Sequence, residues 1–333
     1  MNGYFHLFSC CIPVKGAKKA VICDLQRNII QPIPLFLYDM LVGEDISNTQ
    51  IIEDVANKHG ERDKQLIQEY ITYLYHNQFG YTTEKPTSAI HINLAEYQES
   101  RSITNAIVDF DLNSKHTLNQ IVPQLNELYC EALEIRYYYS VPFLKLKKDL
   151  APIAQSTIRS LEILVELHED CTLSNILKIN KIYPALKKIT ITSAQENIVY
   201  NHDDLSIIYT TDKIADERCC GVTNEFYCIA ETKLFIESVH FNSCLNKKIS
   251  VDKSGLIKNC PSMKDNFGQI SITKLKDALA NDAFRKVWKI NKDQIEVCSD
   301  CELRYVCQDC RAYIEDKTNI FSKPIKCNYD PYQ

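Results

Sequence analysis

The chain has 333 residues, a formal net charge of −5 at pH 7, 45% hydrophobic residues and 15 cysteines. This length predicts two or three domains with substantial cores, and the weakly acidic balance argues against a broad nucleic-acid-binding surface. No run of eighteen apolar residues could cross a membrane, and the common nucleotide-binding and serine-hydrolase motifs are missing. The odd number of cysteines and the lack of a signal-peptide pattern fit a reducing compartment, so we expect a cytoplasmic protein.

Residues 1–83 are predicted to form a small domain of three short strands and three helices. Two apolar strands, FHLFSCCIPVKG and AVICDLQRN, are joined by a hairpin at 15–18, and IIQPIP follows as a third strand. Three helices are predicted: over 35–41, from the capping box at 47–50 to Gly60, and over about 63–77. Phe79–Tyr81 closes the segment and is expected to form a wing strand.

The third predicted helix carries an apolar face that includes Leu66 and Tyr70. The segment resembles the winged-helix peptide-recognition element of peptide-modifying enzymes, in which a leader peptide adds a strand to the sheet edge and packs against the third helix. The resemblance implies that Leu66, Tyr70 and Tyr73 contact a peptide. The alternatives are a winged helix that only packs against its neighbour and one that binds DNA. DNA binding is disfavoured because acidic residues offset the basic ones in this helix.

Residues 84–235 alternate between strand-like and helix-like segments, which predicts parallel βαβ units. The predicted strands are SITNAIVDFDL, LEIRYYYS, SLEILVELHE, KKITITSA and LSIIYTTDKI. The predicted helices are HTLNQIVPQLNELYCEA, DLAPIAQSTI and LSNILKINKIYPALK. This α/β pattern is similar to a partial TIM-type (βα) barrel, the core of radical-SAM enzymes.

The segment after the first of these strands lacks cysteine. A radical-SAM enzyme carries C-x3-C-x2-C there, and its three thiolates hold the cluster that binds S-adenosylmethionine (SAM). The corresponding segment here reads DFDLNSKHTLNQ, and the motif occurs nowhere in the chain, so we expect no SAM cofactor. Asp109, Asp111 and His116 are alternative metal ligands, although acidic residues at the end of a strand more often cap helices or face solvent.

The last segment, residues 236–333, contains seven cysteines that are candidate metal ligands. They are Cys244, Cys260, Cys298, Cys301, Cys307, Cys310 and Cys327. A structural zinc site usually takes two C-x2-C pairs about fifteen residues apart, whereas only five residues separate Cys301 from Cys307. The spacing permits Cys298, Cys301, Cys307 and Cys327 on one centre, with Cys310 turned towards a second, as in ferredoxin motifs. A zinc knuckle with ordinary core cysteines is the alternative.

The order C-x10-G-x4-C, then C-x2-C-x5-C-x2-C, then a last cysteine is similar to the SPASM domain. That domain extends many radical-SAM enzymes that modify ribosomal peptides, and it holds auxiliary iron–sulfur clusters. The resemblance implies one or two [4Fe–4S] clusters, with Cys244, Cys260 and Cys310 on the second centre. Gly255 is expected in a turn with positive φ before the strand that leads to Cys260. For the eighth ligand we consider Cys219, Cys220 or Cys228, or an open iron.

A peptide-recognition-like front, a barrel without its SAM cysteines (84–235) and a SPASM-like tail together resemble the grasp-with-spasm peptide maturases. Members of that group accompany an ATP-grasp ligase, which joins side chains of a ribosomal precursor peptide. The resemblance implies that this chain binds the precursor and acts with the ligase, while the clusters are mainly structural. Two alternatives remain: a peptide-modifying enzyme that uses an open iron as a Lewis acid, and a zinc-stabilised binding module. We expect neither nucleic acid nor membrane as a partner.

Overall fold

The computed structural model describes residues 4–42, 61–85, 94 and 99–333. The fold is mixed α/β, as predicted. Its largest element is an eight-stranded, mostly parallel sheet, which is accompanied by a three-stranded antiparallel sheet and a two-stranded one. Among the described residues, the helices are too short or too polar to cross a bilayer.

The N-terminal residues form the two small sheets. Their elements are β1 (Tyr4–Leu7), β2 (Cys11–Lys15), β3 (Ala20–Asp24), β4 (Ile29–Ile33), α1 (Leu35–Val42), α2 (Glu61–His76) and β5 (Gly80–Thr83). Strands β2, β3 and β4 pair in that order, and β1 pairs with β5. The predicted hairpin is present, but the first predicted strand is divided into β1 and β2, because a turn bonds the Cys11 amide to the Phe8 carbonyl at 2.8 Å. The helix predicted between 47 and 60 lies outside the described residues.

One arginine ties helix α2 to the three-stranded sheet. Arg27 donates to the buried Asp24 carboxylate at 2.5 Å and to the carbonyl oxygens of Asn77 and Gln78, just after α2, at 2.8 and 3.1 Å. The Tyr73 hydroxyl in turn donates to the side chain of Gln31 in β4 at 2.9 Å. Helix α2 therefore lies beside β4, which is an edge strand of this sheet.

The eight-stranded sheet contains all five predicted strands of the middle segment. Its strands are β6 (Asn105–Phe110), β7 (Ala132–Ser140), β8 (Ser160–Glu166), β9 (Leu186–Thr192), β10 (Ile198–His202), β11 (Leu205–Tyr209), β12 (Lys248–Val251) and β13 (Ile257–Lys258). They lie in the order β10-β11-β9-β8-β7-β6-β12-β13, and all neighbours are parallel except the outermost pair at each end. Strands β10 and β12 are not predicted from the sequence, whereas β13 is the strand expected before Cys260.

Helices cover one face of this sheet. They are α3 (Leu118–Glu127), α4 (Phe143–Asp149), α5 (Leu173–Ile182), α7 (Leu275–Ala280) and α8 (Asp282–Lys286), whereas α6 (Thr232–His240) shares a hydrophobic cluster with the three-stranded sheet through Phe235. The helix predicted over DLAPIAQSTI is only a 3-10 turn at Ala151–Gln155, with Pro152 in its first turn, and the α-helix before it, α4, is not predicted from the sequence. Because side chains alternate along a strand, the apolar residues of β6–β9 pack under the helices, while polar ones such as Asp109 and Arg136 lie on the opposite face.

The C-terminal segment continues this architecture. Strand β12 pairs in parallel with β6, and residues as far along the chain as Ile295 and Cys298 belong to the same hydrophobic core. Beyond Cys298 the chain consists of turns, bends and isolated bridges. The domain boundary at residue 235 stays a prediction. Strands on both sides of it belong to the same sheet. The cysteines lie in three sets of loops: those after β11, those that flank β12 and β13, and those of the tail. These loops thus come together beside the sheet.

Candidate metal centres

Four cysteines line one cavity of about 80 Å³, and we call this group site B: Cys220, Cys244, Cys260 and Cys310. Cys244 precedes β12, Cys260 follows β13, and Cys310 lies on the tail. The structure therefore brings together the three cysteines that the spacing assigned to a second centre. Of the three residues considered for the fourth position, Cys220 lines the cavity.

Two glycines shape the loops of site B. Gly221 has φ +86°, and a Cβ atom there would meet the Tyr313 ring at 2.6 Å and the Cys310 sulfur at 2.9 Å. Only glycine allows the loop to approach Cys310 so closely. Gly255 has φ +82°, which confirms the predicted turn before Cys260, and a Cβ atom there would meet the Gln269 side chain at 2.7 Å.

The other four predicted ligands form site A: Cys298, Cys301, Cys307 and Cys327. Burial raises the pKa of Cys298 to about 11, and among the smaller contributions are the neighbouring Cys307 and Cys327. Burial likewise raises the pKa of Cys301 to about 12, with Cys307 again a neighbour. Cys327 is held by a backbone bridge to Thr223, in the loop that also carries Cys220. The two sites therefore share one connecting loop.

A fifth thiol, Cys228, also lies at site A. It is within hydrogen-bonding reach of the Cys307 sulfur, which lowers the pKa of Cys307 and raises that of Cys228. Cys228, which the sequence analysis considers for the eighth ligand at the Cys244 centre, therefore belongs to site A instead. The remaining candidate, Cys219, is exposed, although burial of its thiol raises its pKa to about 11.

Backbone amides donate to sulfur in both sites. The Leu303 amide donates to Cys301 Sγ at 3.4 Å, and the Cys260 sulfur accepts from the Ser262 backbone. Cys310 accepts from the backbone of Tyr313 and Ala312. Hydrogen bonds of this kind favour the thiolate over the thiol, and thiolate is the form that binds metal.

Each site also contains one lysine whose ammonium group contacts sulfur. The Lys248 Nζ atom donates to Cys244 Sγ at 3.3 Å, and Lys292 Nζ donates to Cys307 Sγ at 3.2 Å. Lys292 is buried, whereas Lys248 is partly exposed but has its ammonium group among the thiols of site B. A lysine ammonium is seldom buried without an anion beside it. Negatively charged sulfur therefore fits both positions.

The spacing of the sulfurs is wider than the ligand shell of a single zinc ion. Around one zinc ion, Zn–S bonds of about 2.3 Å bring all ligand sulfurs within about 4 Å of one another. Across the described ranges, neither site contains three ligand atoms that all lie within 4.8 Å of one another. The cavity at site B exceeds the roughly 10–15 Å³ that one water molecule needs. The thiols of site B thus line a space that suits a polyatomic group such as an iron–sulfur cluster.

One unpartnered hydroxyl belongs to a residue that lines the same cavity. Thr223 Oγ1, in the wall of site B, is buried and lacks a hydrogen-bond partner among the residues that the structure describes. A hydroxyl of this kind can donate to inorganic sulfide or to a thiolate. It is the kind of buried polar atom that a bound group would satisfy.

A different close group of possible ligands lies in the N-terminal sheets: Cys10, Cys11 and Asp24. The Asp24 carboxylate already accepts from the Arg27 guanidinium and from two backbone amides. Burial, followed by the charge of Asp24, raises the pKa of Cys11. The group therefore serves packing and hydrogen bonding, as the sequence predicts for Cys10 and Cys11.

The end of β6, where a radical-SAM enzyme would carry its cysteines, holds a buried ion pair. Arg136 donates to the Asp109 carboxylate at 2.7 and 2.9 Å, and the Tyr138 hydroxyl donates to it at 2.9 Å. Asp111 caps a turn through the Asn113 amide, and His116 bonds to the backbone carbonyl of Asp109. These contacts occupy the three side chains proposed as alternative ligands.

The predicted peptide-contacting residues lie on α2. Leu66 and Tyr73 are 40% and 44% exposed, whereas Tyr70 is partly buried against Phe36 with ring centroids 5.9 Å apart. The side chains of α2 that enter the core are Ile67, Ile71 and Leu74. Leu66 and Tyr73 are thus accessible to a ligand.

Comparison with known proteins does not identify the function of this chain. No protein-family model matches the chain, and no curated protein matches it either. A proposal of function therefore depends on the geometry of the two cysteine sites and of the N-terminal sheet edge.

Proposed function

We propose that this chain holds two [4Fe–4S] clusters, one in each cysteine site, and serves as a peptide-binding accessory protein in the maturation of a ribosomal peptide. One observation carries the cluster assignment: the thiols gather in two groups, four at site B and five at site A when Cys228 is counted, and each group has a lysine ammonium against one of its sulfurs. Four thiolates are the usual ligand set of such a cluster.

The loop-rich tail favours a mainly structural role for the clusters. Sites A and B connect segments that are distant in the sequence, from the loop at Cys220 to Cys327, and the chain beyond Cys298 has little regular structure of its own. In such a segment the free energy of metal binding is largely free energy of folding. The clusters would therefore hold the tail against the sheet.

The alternatives are less well supported. An open iron on the Cys244 centre would need a missing fourth thiol, whereas Cys220 lines the same cavity. A zinc-stabilised module would need sulfurs drawn closely around one ion, and the thiols are more widely spaced. The order of cysteines, the parallel sheet without SAM cysteines and the N-terminal sheets support the resemblance to the grasp-with-spasm maturases.

Peptide recognition is proposed for the edge of the three-stranded sheet. Strand β4 pairs with β3 alone in the described part of the chain, which leaves its other edge for an added strand. Exposed apolar side chains lie on β4 and on helices α1 and α2 of the same segment: Ile29, Phe36, Leu66 and Tyr73. A leader peptide bound there would gain backbone hydrogen bonds from β4 and side-chain contacts from α2.

We predict that Tyr73→Ala weakens binding of the leader segment of the chain's precursor peptide about tenfold, or about 1.4 kcal/mol. Fluorescence anisotropy with a labelled leader peptide measures this. Tyr75→Ala is the matched control, because Tyr75 is 42% exposed on the same helix but lies against His76. Equal affinities of the two variants would exclude this face.

The accessory role is tested in the same system by mass spectrometry of the precursor. Loss of water from the precursor is expected only when this chain, the ATP-grasp ligase and ATP are all present, and Tyr73→Ala should slow it. Conversion of the precursor by this chain without the ligase would contradict the accessory role and favour an enzyme.

A further inference from the structure

We infer that Lys248 and Lys292 are charge-compensating residues, one for each cysteine site, which make it easier for the bound cluster to accept an electron. The inference rests on the proposed function, since it assumes clusters at both sites. It goes beyond a structural role, because it gives each centre a tuned reduction potential.

The two lysines have sulfur as their hydrogen-bonding partner. The Nζ atoms lie 3.3 Å and 3.2 Å from Cys244 Sγ and Cys307 Sγ, and in the described residues neither lysine forms an ion pair with a carboxylate. Asp309 is the carboxylate that raises the pKa of Lys292 most, and Arg311 already holds both of its oxygens, at 2.6 and 2.8 Å. The positive charge of each lysine is therefore directed at the thiols.

A third lysine beside site B shows the contrast. Lys258, on β13, is also largely buried but forms an ion pair with Asp252 at 2.8 Å. A carboxylate partner is thus available to lysines in this part of the fold. Lys248, which begins the neighbouring strand β12, has the thiols of Cys220, Cys244 and Cys260 around its ammonium group instead.

The physical consequence concerns the reduced state. The reduction potential of an iron–sulfur cluster depends on its net charge, on hydrogen bonds to its sulfurs and on its exposure to solvent. An added electron increases the negative charge of the centre, and an ammonium group at hydrogen-bonding distance in a poorly solvated site offsets that increase. Replacement of the lysine by an uncharged residue should therefore disfavour reduction.

The test is a redox titration of the full-length protein, isolated without oxygen and followed by electron paramagnetic resonance. Dithionite is the one-electron donor, with mediator dyes, and serine substitution of Cys260 or Cys301 assigns each signal to a site. We expect Lys248→Met to lower the ratio of reduced to oxidised cluster at site B at least tenfold at fixed potential, which is about 59 mV for one electron. Lys292→Met should do the same at site A, and each variant should leave the other site unshifted.

Lys258→Met is the matched control: the ammonium group of Lys258 pairs with Asp252 and not with sulfur, so the variant should shift the site B signal less than Lys248→Met does and leave the site A signal unshifted. Unchanged reduction potentials in Lys248→Met and Lys292→Met, with full iron content, would overturn the inference. If Lys248→Met or Lys292→Met loses its iron, the corresponding arginine variant, Lys248→Arg or Lys292→Arg, tests whether the site requires the positive charge. Iron retained at an unshifted potential in Lys→Arg supports a requirement for the charge, and iron lost there too overturns it. Absence of iron and sulfide from the unaltered protein would instead refute the proposed function itself.

Discussion

Removal of iron is expected to unfold the tail of the protein while the parallel sheet stays folded. Strands β6–β9 share a large apolar core with the helices that cover them, whereas residues 299–333 contain only turns and isolated bridges. Binding of a structural metal supplies on the order of 10 kcal/mol, which such a segment cannot replace from its own contacts. Treatment with a chelator under oxidising conditions should therefore expose the tail to hydrogen exchange and to proteases.

Mass spectrometry after limited proteolysis or hydrogen exchange identifies the affected residues. Cys301→Ser together with Cys307→Ser should give the same pattern without a chelator. The control is Cys171→Ser, because Cys171 follows β8 and belongs to neither site. Full protection of residues 299–333 in the metal-free protein would show that the fold does not depend on the clusters.

The second large effect is expected at the buried ion pair of Asp109 and Arg136. Arg136 is 2% exposed, and Asp109 is completely buried. Arg136→Met would leave a buried carboxylate without its charged partner, and we expect the free energy of unfolding to fall by about 3–5 kcal/mol. Denaturation by urea, with the sheet followed by circular dichroism, measures the loss.

The same polar face of the sheet supplies a control. Lys188 pairs with Glu162 at 3.1 Å, and both side chains are more than 40% exposed. Such a pair contributes about 0–1 kcal/mol, so Lys188→Met should have little effect. An equal loss of unfolding free energy in Arg136→Met and Lys188→Met would show that burial does not increase the contribution of the Asp109–Arg136 pair.

The loss at Arg136 should also depend on pH. Burial raises the pKa of Asp109 to about 6 even with the arginine present. An acid whose pKa is higher in the folded state than in the unfolded chain loses stability as pH rises between those two pKa values. Removal of Arg136 raises the folded-state pKa further and extends this window. The variant should therefore be closer to the unaltered protein at pH 4 than at pH 7.

The regular part of the fold follows from short-range patterns in the sequence. The strands of the middle segment alternate with helices, and their apolar residues repeat with the period of each element, so all five predicted strands are present. Strand pairings between segments that are distant in the sequence cannot be predicted from such local patterns. Strand β12 joins β6 across more than a hundred residues, and nothing local to Lys248–Val251 indicates that neighbour.

The candidate sites divide in the same way. The close spacing of Cys298, Cys301 and Cys307 suffices to predict one group of ligands, and Gly255 marks the turn before Cys260. The fourth thiol of site B, Cys220, comes from the loop after β11, and only the folded structure separates it from Cys219 and Cys228. The lysines at the thiols are not predictable, because lysine is usually exposed.

The central claim is that the cysteines bind iron as two clusters, and the metal and sulfide content of the protein isolated without oxygen tests it most directly. We predict about eight iron and eight acid-labile sulfide per chain, and about four of each when Cys244 and Cys260, or Cys301 and Cys307, are replaced by serine. Zinc without sulfide, or a fully folded protein that binds no metal, would contradict the account.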